Sequence, residues 1–114
     1  MEDCLFCRIV RGEVEAEVVA ERPRAVAFPD INPQAPVHVL IVPREHVPQV
    51  KDLDLSDSEM LADIFAVIND VAASKGLERA GYRVVCNIGK AAGQEVDHLH
   101  FHMLGGRSMG WPPG

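Results

Sequence analysis

The sequence predicts an α+β fold, an antiparallel sheet of about five strands with one long and one short helix. Three observations predict it. Strand-like stretches fall in the order strand, strand, helix, strand, strand, which disfavours parallel pairing. A single long segment carries an apolar stripe at helical spacing behind a capping signal. In the stretch His98-Leu99-His100-Phe101-His102, imidazoles alternate with apolar side chains, as expected of a strand with one chemical face and one structural face.

The elements follow in order. Phe6, Ile9 and Val10 recur at helical spacing within Leu5 to Val10, giving one or two turns that end before Gly12. Val18 to Glu21 and Ala25 to Phe28 read as a hairpin around Arg22-Pro23-Arg24. The segment from Pro29 to Pro36 holds three prolines and forms an ordered, non-helical connection. Val37 to Val42 is an apolar run broken only by His38, so a central strand should carry one polar group toward a face that needs it. Ser56-Asp57-Ser58-Glu59 matches a capping box. It opens a helix whose stripe is Leu61, Ile64, Phe65, Ile68, Val71 and Ala72 and which ends at Gly76. Tyr82 to Asn87 is β-branched and apolar, a glycine-containing loop follows, and the histidine stretch completes a second hairpin.

With 114 residues and 47% hydrophobic content, the chain is expected to form one domain over residues 1–114. A formal charge of −6 gives no attraction for a polyanion, which excludes extended nucleic acid but not a single nucleotide. No apolar run approaches the ~20 residues of a membrane span, and Met1-Glu2-Asp3 lacks the basic start of a signal peptide, so a cytoplasmic protein is expected. Three cysteines, two of them as Cys4-x-x-Cys7, argue against a disulfide framework and leave redox or metal readings; Cys86 lies in an apolar run and reads as core.

Three imidazoles on one face admit two chemistries. A zinc hydrolase would need them on one ion, but His98 and His102 lie about 13 Å apart along an extended strand at ~3.3 Å per residue. A nucleophilic reading needs only the central His100 to face the substrate, its other ring nitrogen held by a backbone carbonyl, with the flanking imidazoles as donors to an oxyanion.

The stretch His98 to Leu104 also resembles the His-φ-His-φ-His-φ-φ signature of the histidine triad (HIT) family. Gly93-Gln94-Glu95-Val96, Gly105-Gly106-Arg107 and Trp111-Pro112-Pro113-Gly114 are similar to its Hint branch, as are Phe6, Phe28-Pro29-Asp30-Ile31, Pro33-Gln34-Ala35-Pro36, Pro43-x-x-His46 and Asn87. The resemblance implies a dimeric nucleotide hydrolase acting on phosphoramidates of purine nucleoside monophosphates through a nucleotidyl-histidine intermediate, with no cofactor required for the chemistry. It implies that His100 attacks the α-phosphorus, that His38, His98 and His102 position it or stabilise charge, and that Asn87 with the Glu95-Val96 backbone holds phosphate oxygens. Asp30 would accept the ribose hydroxyls, while Phe6, Ile9, Phe28 and Ile31 would line the base pocket, with ordinary core packing as the alternative, above all for Phe28. Glu95 departs from relatives that carry a small hydroxyl residue there, and a carboxylate repels phosphate unless it points away.

Relatives in the superfamily bind zinc through a Cys₂His₂ quartet, and Cys4, Cys7, His46 and His98 supply such a set for a structural ion. Beside the phosphoramidase stands another nucleotidyl hydrolase, and two readings compete with both: a purine-nucleotide sensor without significant turnover, and a zinc protein whose histidines serve structure. Trp111, the only tryptophan, sits in a proline-rich tail and is expected to anchor on a second subunit.

Overall fold

The computed structural model describes residues 3–114. Met1 and Glu2, part of the acidic start weighed above, lie outside the described residues. In chain order the elements are helix α1 (Leu5–Val10), strands β1 (Ala20–Glu21), β2 (Ala25–Pro29) and β3 (Val37–Pro43), helix α2 (Ser58–Ser74), and strands β4 (Tyr82–Val85) and β5 (Phe101–Gly105). The strands form one antiparallel sheet in the order β1-β2-β3-β5-β4, so the α+β expectation holds. Among the described residues, no helix is long and apolar enough to cross a membrane.

The two faces of the sheet follow from side-chain alternation. Ala25 and Ala27 of β2, Val39 and Ile41 of β3, and Met103 of β5 face α2 and form the larger core with Leu99. Val26, Phe28, Leu40 and Val42 point the other way, onto Cys4, Phe6 and Cys7 around the short helix α1. His102 stands opposite Leu40 on one side and Val85 on the other, which puts it in the middle of the sheet.

Two expectations for the long helix are corrected by local chemistry, and its expected end at Gly76 holds. The long helix is capped by Asp57, whose carboxylate accepts the Met60 N–H at 3.2 Å. Ser56 instead turns back to donate its hydroxyl to Asp54 at 2.6 Å. The buried stripe of α2 is Met60, Ile64, Val67, Ile68, Val71 and Ala72, while Leu61 is half-buried and Phe65 is 54% exposed. The helix has thus rotated its contact face by about one position toward its start. It ends in a reciprocal cap: Gly76, at φ 69°, lets the Leu77 N–H reach the Ala72 carbonyl at 2.9 Å, and Leu77 folds back into the core.

The strand bounds also move. β1 begins at Ala20, and β4 ends at Val85, short of Asn87. β5 begins at Phe101, whereas His98, Leu99 and His100 precede the ladder. The cause is Pro43 at the end of β3: it has no N–H for a partner beyond the Ile41–Phe101 pair, and its carbonyl is engaged by the His98 ring at 2.8 Å. The chain there is held instead by the Leu99 N–H donating to the Val47 carbonyl at 2.6 Å. Alternation survives, since Leu99 and Met103 enter the core while the three histidines take the opposite face.

Candidate active site

The proline-rich connection between β2 and β3 grips His38. The Asp30 N–H donates to the His38 carbonyl at 3.0 Å, and the Gln34 N–H donates to His38 Nδ1 at 3.0 Å. A ring nitrogen that accepts from a backbone amide carries no hydrogen, so in the neutral imidazole the hydrogen resides on Nε2. His38 Nε2 lies 2.9 Å from His102 Nδ1 and 3.4 Å from Asp30 Oδ2. It therefore donates to His102, which leaves the His102 hydrogen on Nε2. Burial, the largest cause, pushes both imidazoles below the ordinary histidine range. His100 and His38 push His102 further down, while Asp30 opposes the shift at both rings and Glu95 opposes it at His102.

His100 is held by its neighbour's backbone. Its Nδ1 donates to the His98 carbonyl at 2.7 Å, so the Nε2 lone pair is free for chemistry. The His100 and His102 rings are 5.1 Å apart, and Phe6 closes on His100 edge-on at 5.0 Å.

These groups line a cavity of about 410 Å³ together with Asp30, Ile31, Asn87, Glu95 and Val96. Ile31 is 97% exposed, so it forms the outer lip. The structure puts Ile9 and Phe28 behind this wall, in the apolar cluster under Phe6, whose ring meets that of Phe28 at 5.6 Å. His98 does not line the cavity; it is fully buried, and its nearest contribution is the carbonyl that orients His100. Glu95 is exposed on the wall that this cavity shares, through Leu5, Glu95 and Val96, with a second cavity of about 480 Å³.

Cys4, Cys7, His46 and His98 meet behind the triad. Cys4 caps α1, its sulfur accepting the Cys7 N–H at 3.4 Å, which places both thiols on one side of a six-residue helix. His98 Nδ1 lies 3.3 Å from Cys4 Sγ and 3.5 Å from Cys7 Sγ, and His46 Nδ1 lies 3.2 Å from Cys7 Sγ. Zinc bonded at ~2.3 Å to sulfur and ~2.0 Å to nitrogen separates tetrahedral neighbours by about 3.5 Å, so the donor set fits that ion. His98 Nε2 donates to Pro43, which turns the Nδ1 lone pair toward the sulfurs. Burial holds His98 down at about 4, so the ring is neutral, as a ligand must be. The Cys7 thiol is pushed up, by burial first and then by Cys4, a shift that a bound cation reverses.

Asp30, His38 and His102 also bring three possible ligand atoms within 4.8 Å of one another. His38 Nε2 keeps its hydrogen there, so His38 offers that trio no lone pair for a cation.

Two residues named above only as parts of motifs, Gln94 and Gln34, position the site. Gln94 accepts the Gly89 N–H at 2.8 Å and donates to the Pro48 and Val96 carbonyls at 2.8 and 3.1 Å, closing the loop after β4 over the site. Gln34 presents its amide to His38 and its carbonyl to Arg107 at 3.0 Å, tying the site to the segment after β5. A glutamine between glycine and a charged residue carries no periodic signal, and a backbone amide has no sequence signature.

A sheet with a histidine-lined cavity on the face away from its long helix defines a class: a histidine triad protein. The HIT domain family profile matches residues 11–109, and the chain belongs to that family. The crystal structure of a HIT family hydrolase from Legionella pneumophila Philadelphia 1 is similar at 49% identity, covering 98% of this chain and 100% of that one, with a TM-score of 0.93. An uncharacterized HIT-like protein of Synechococcus elongatus is 42% identical over 99% of this chain and 98% of its own length. A histidine triad nucleotide-binding protein from Candida albicans is 33% identical, over 96% of this chain and 83% of that one, with a TM-score of 0.83.

Proposed function

We propose that this protein hydrolyses phosphoramidates of purine nucleoside monophosphates through a covalent intermediate on His100. The observation that carries the reading is the 2.7 Å bond from His100 Nδ1 to the His98 carbonyl, which points the Nε2 lone pair away from its anchor, beside a His102 ring whose Nδ1 is taken by His38 at 2.9 Å. The likeness to a hydrolase from Legionella pneumophila and to a nucleotide-binding protein from Candida albicans supports it.

In this mechanism His100 Nε2 attacks the α-phosphorus and forms an N–P bond while the P–N bond to the amine breaks. An amine anion is too basic to depart unprotonated, so the His102 Nε2–H delivers the proton. Water then attacks the nucleotidyl-histidine, gives its proton to His102 Nε2, and the N–P bond breaks with its electron pair returning to His100. Asn87 and the backbone at Glu95 and Val96 hold phosphate oxygens, where charge builds. Asp30 takes the ribose hydroxyls, and Phe6 and Ile31 flank the base. The chemistry needs no cofactor. Cys4, Cys7, His46 and His98 hold a structural zinc ion that ties α1 to the sheet and leaves no ligand position open. Two copies pair through α2 and β4, where Phe65, Tyr82 and Val84 are exposed.

Adenosine 5′-phosphoramidate is the test substrate. The wild-type protein should release AMP, and acid quench should trap an adenylyl adduct on His100. His100→Ala should lose about 10⁴-fold or more in turnover while still binding AMP. Near-native turnover by that variant, or none by the wild type, removes this reading.

A further inference from the structure

Asp30 touches more than the space assigned to ribose. Its Oδ1 accepts the Asn32 N–H at 2.8 Å, which fixes the carboxylate plane and aims Oδ2 inward, 3.4 Å from His38 Nε2 and 3.9 Å from His102 Nδ1. Its own N–H binds the His38 carbonyl at 3.0 Å, and four residues on, the Gln34 N–H binds His38 Nδ1 at 3.0 Å. One short loop therefore holds His38 by its backbone and by both ring nitrogens. A carboxylate beside an imidazole favours a hydrogen on the facing nitrogen, and the amide on the far nitrogen disfavours one there. Both contacts select the same tautomer.

We propose that Asp30 is a positioning residue for proton delivery: its carboxylate locks His38 with the hydrogen on Nε2, and His38 in turn locks His102 with the hydrogen on the nitrogen that faces the leaving group. This rests on the hydrolase reading only for its kinetic consequence. The group that reads the sugar thus also sets the proton donor, so a nucleotide lacking hydroxyls separates the two tasks. The titratable groups around His102 are His100, His38, Asp30 and Glu95, and Asp30 also faces His38. Asp30 opposes the effect of burial at both rings, so its loss moves their titration to lower pH.

The test compares wild type with Asp30→Asn, which keeps an oxygen for the Asn32 N–H but removes the charge. On 2′,3′-dideoxyadenosine 5′-phosphoramidate the variant should still lose about 10- to 100-fold in single-turnover rate, and the acidic limb of its pH profile should move down. Equal rates and equal profiles on that substrate would overturn the inference and reduce Asp30 to a ribose contact. A second arm needs no turnover: ¹⁵N NMR of the ligand-free protein should find the His102 hydrogen on Nε2 in wild type and divided between the nitrogens in Asp30→Asn. A His102 hydrogen on Nδ1 in wild type overturns the proposal even if the variant fails to fold, as does an unchanged tautomer in a folded variant. Inactivity of the wild type on both amidates counts against the hydrolase reading alone, and the NMR arm then decides this one.

Discussion

His38 Nε2 and His102 Nδ1 lie 2.9 Å apart, and the hydrogen between them belongs to His38 because the Gln34 amide occupies its other nitrogen and the Asp30 carboxylate faces this one. The far side of His102 is then a donor. His102→Ala should cost about 10²- to 10⁴-fold in turnover of an alkylamine phosphoramidate, whose leaving group needs a proton. On a 4-nitrophenyl ester of AMP, which departs as a stable anion, the same variant should lose far less. Equal losses on both substrates, measured as kcat/KM, would show that His102 has another task.

Metal content follows from the donor set behind the triad. Protein purified without chelator should carry about one zinc per chain by elemental analysis. Cys4→Ser should lower that occupancy and the thermal midpoint before it changes the chemical step, because none of the four ligands is the nucleophile. Thiolates and neutral imidazoles bind zinc in competition with protons, so occupancy should fall on acidification.

Stability should rise with pH through the histidine range. His38 and His102 are held below their ordinary range, so around pH 6.5 the unfolded chain binds protons that the folded protein does not. The folded state is therefore disfavoured as pH falls, by at most about 1.4 kcal/mol per pH unit for one such ring. Urea midpoints between pH 7.5 and 5.5, with chelator present throughout, should decline, and His102→Gln should flatten the slope.

Gly105 packs where a side chain cannot. A methyl group there would stand 2.7 Å from Leu77 Cδ2 and 2.8 Å from Cδ1, inside a core that already buries Leu77. Gly105→Ala should cost about 1–3 kcal/mol by urea unfolding. Leu77→Ala removes the clashing atoms, so the double variant should be more stable than the sum of the two single losses allows.

One side chain tests the proposed pairing. Phe65 is 54% exposed, and its ring lies 6.0 Å from that of Phe101. If two copies pair through this face, light scattering should give a dimer for wild type and a monomer for Phe65→Asp. A monomeric wild type at micromolar concentration refutes the pairing.

Most of the topology was legible because period and punctuation carry it. The alternation from His98 to Met103 marked the two faces, and Pro43 marked the end of a strand. Where the long helix points was less legible: Leu61 and Met60 are equally apolar, and only packing against the sheet chooses between them. Ser56 and Asp57 are both good caps, and the choice fell to Asp57, which also meets Arg24 from the β1–β2 turn, a contact 33 residues away in sequence. Phe28 and Phe6 look alike on the page, yet one stands behind the other. The Gln34 contacts to His38 and Arg107 use its backbone, which every residue has, and the Gln94 side chain reaches backbone partners, so neither pairing is announced by a partner's residue type.

The segment that leads into β5 serves the core with its odd residues and the chemistry with its even ones, which makes its length more constrained than its composition. Removing one residue between Leu99 and Phe101 would exchange the sides: imidazoles would be driven under α2, and aliphatic groups would meet the cavity. Deletion scanning should therefore find a sharp boundary. The turn at Lys90–Ala92 lies outside both faces and should accept insertions, whereas a single-residue gap between His98 and Gly105 should abolish folding. The reading frame of the sheet is thus kept by the same residues that keep the site.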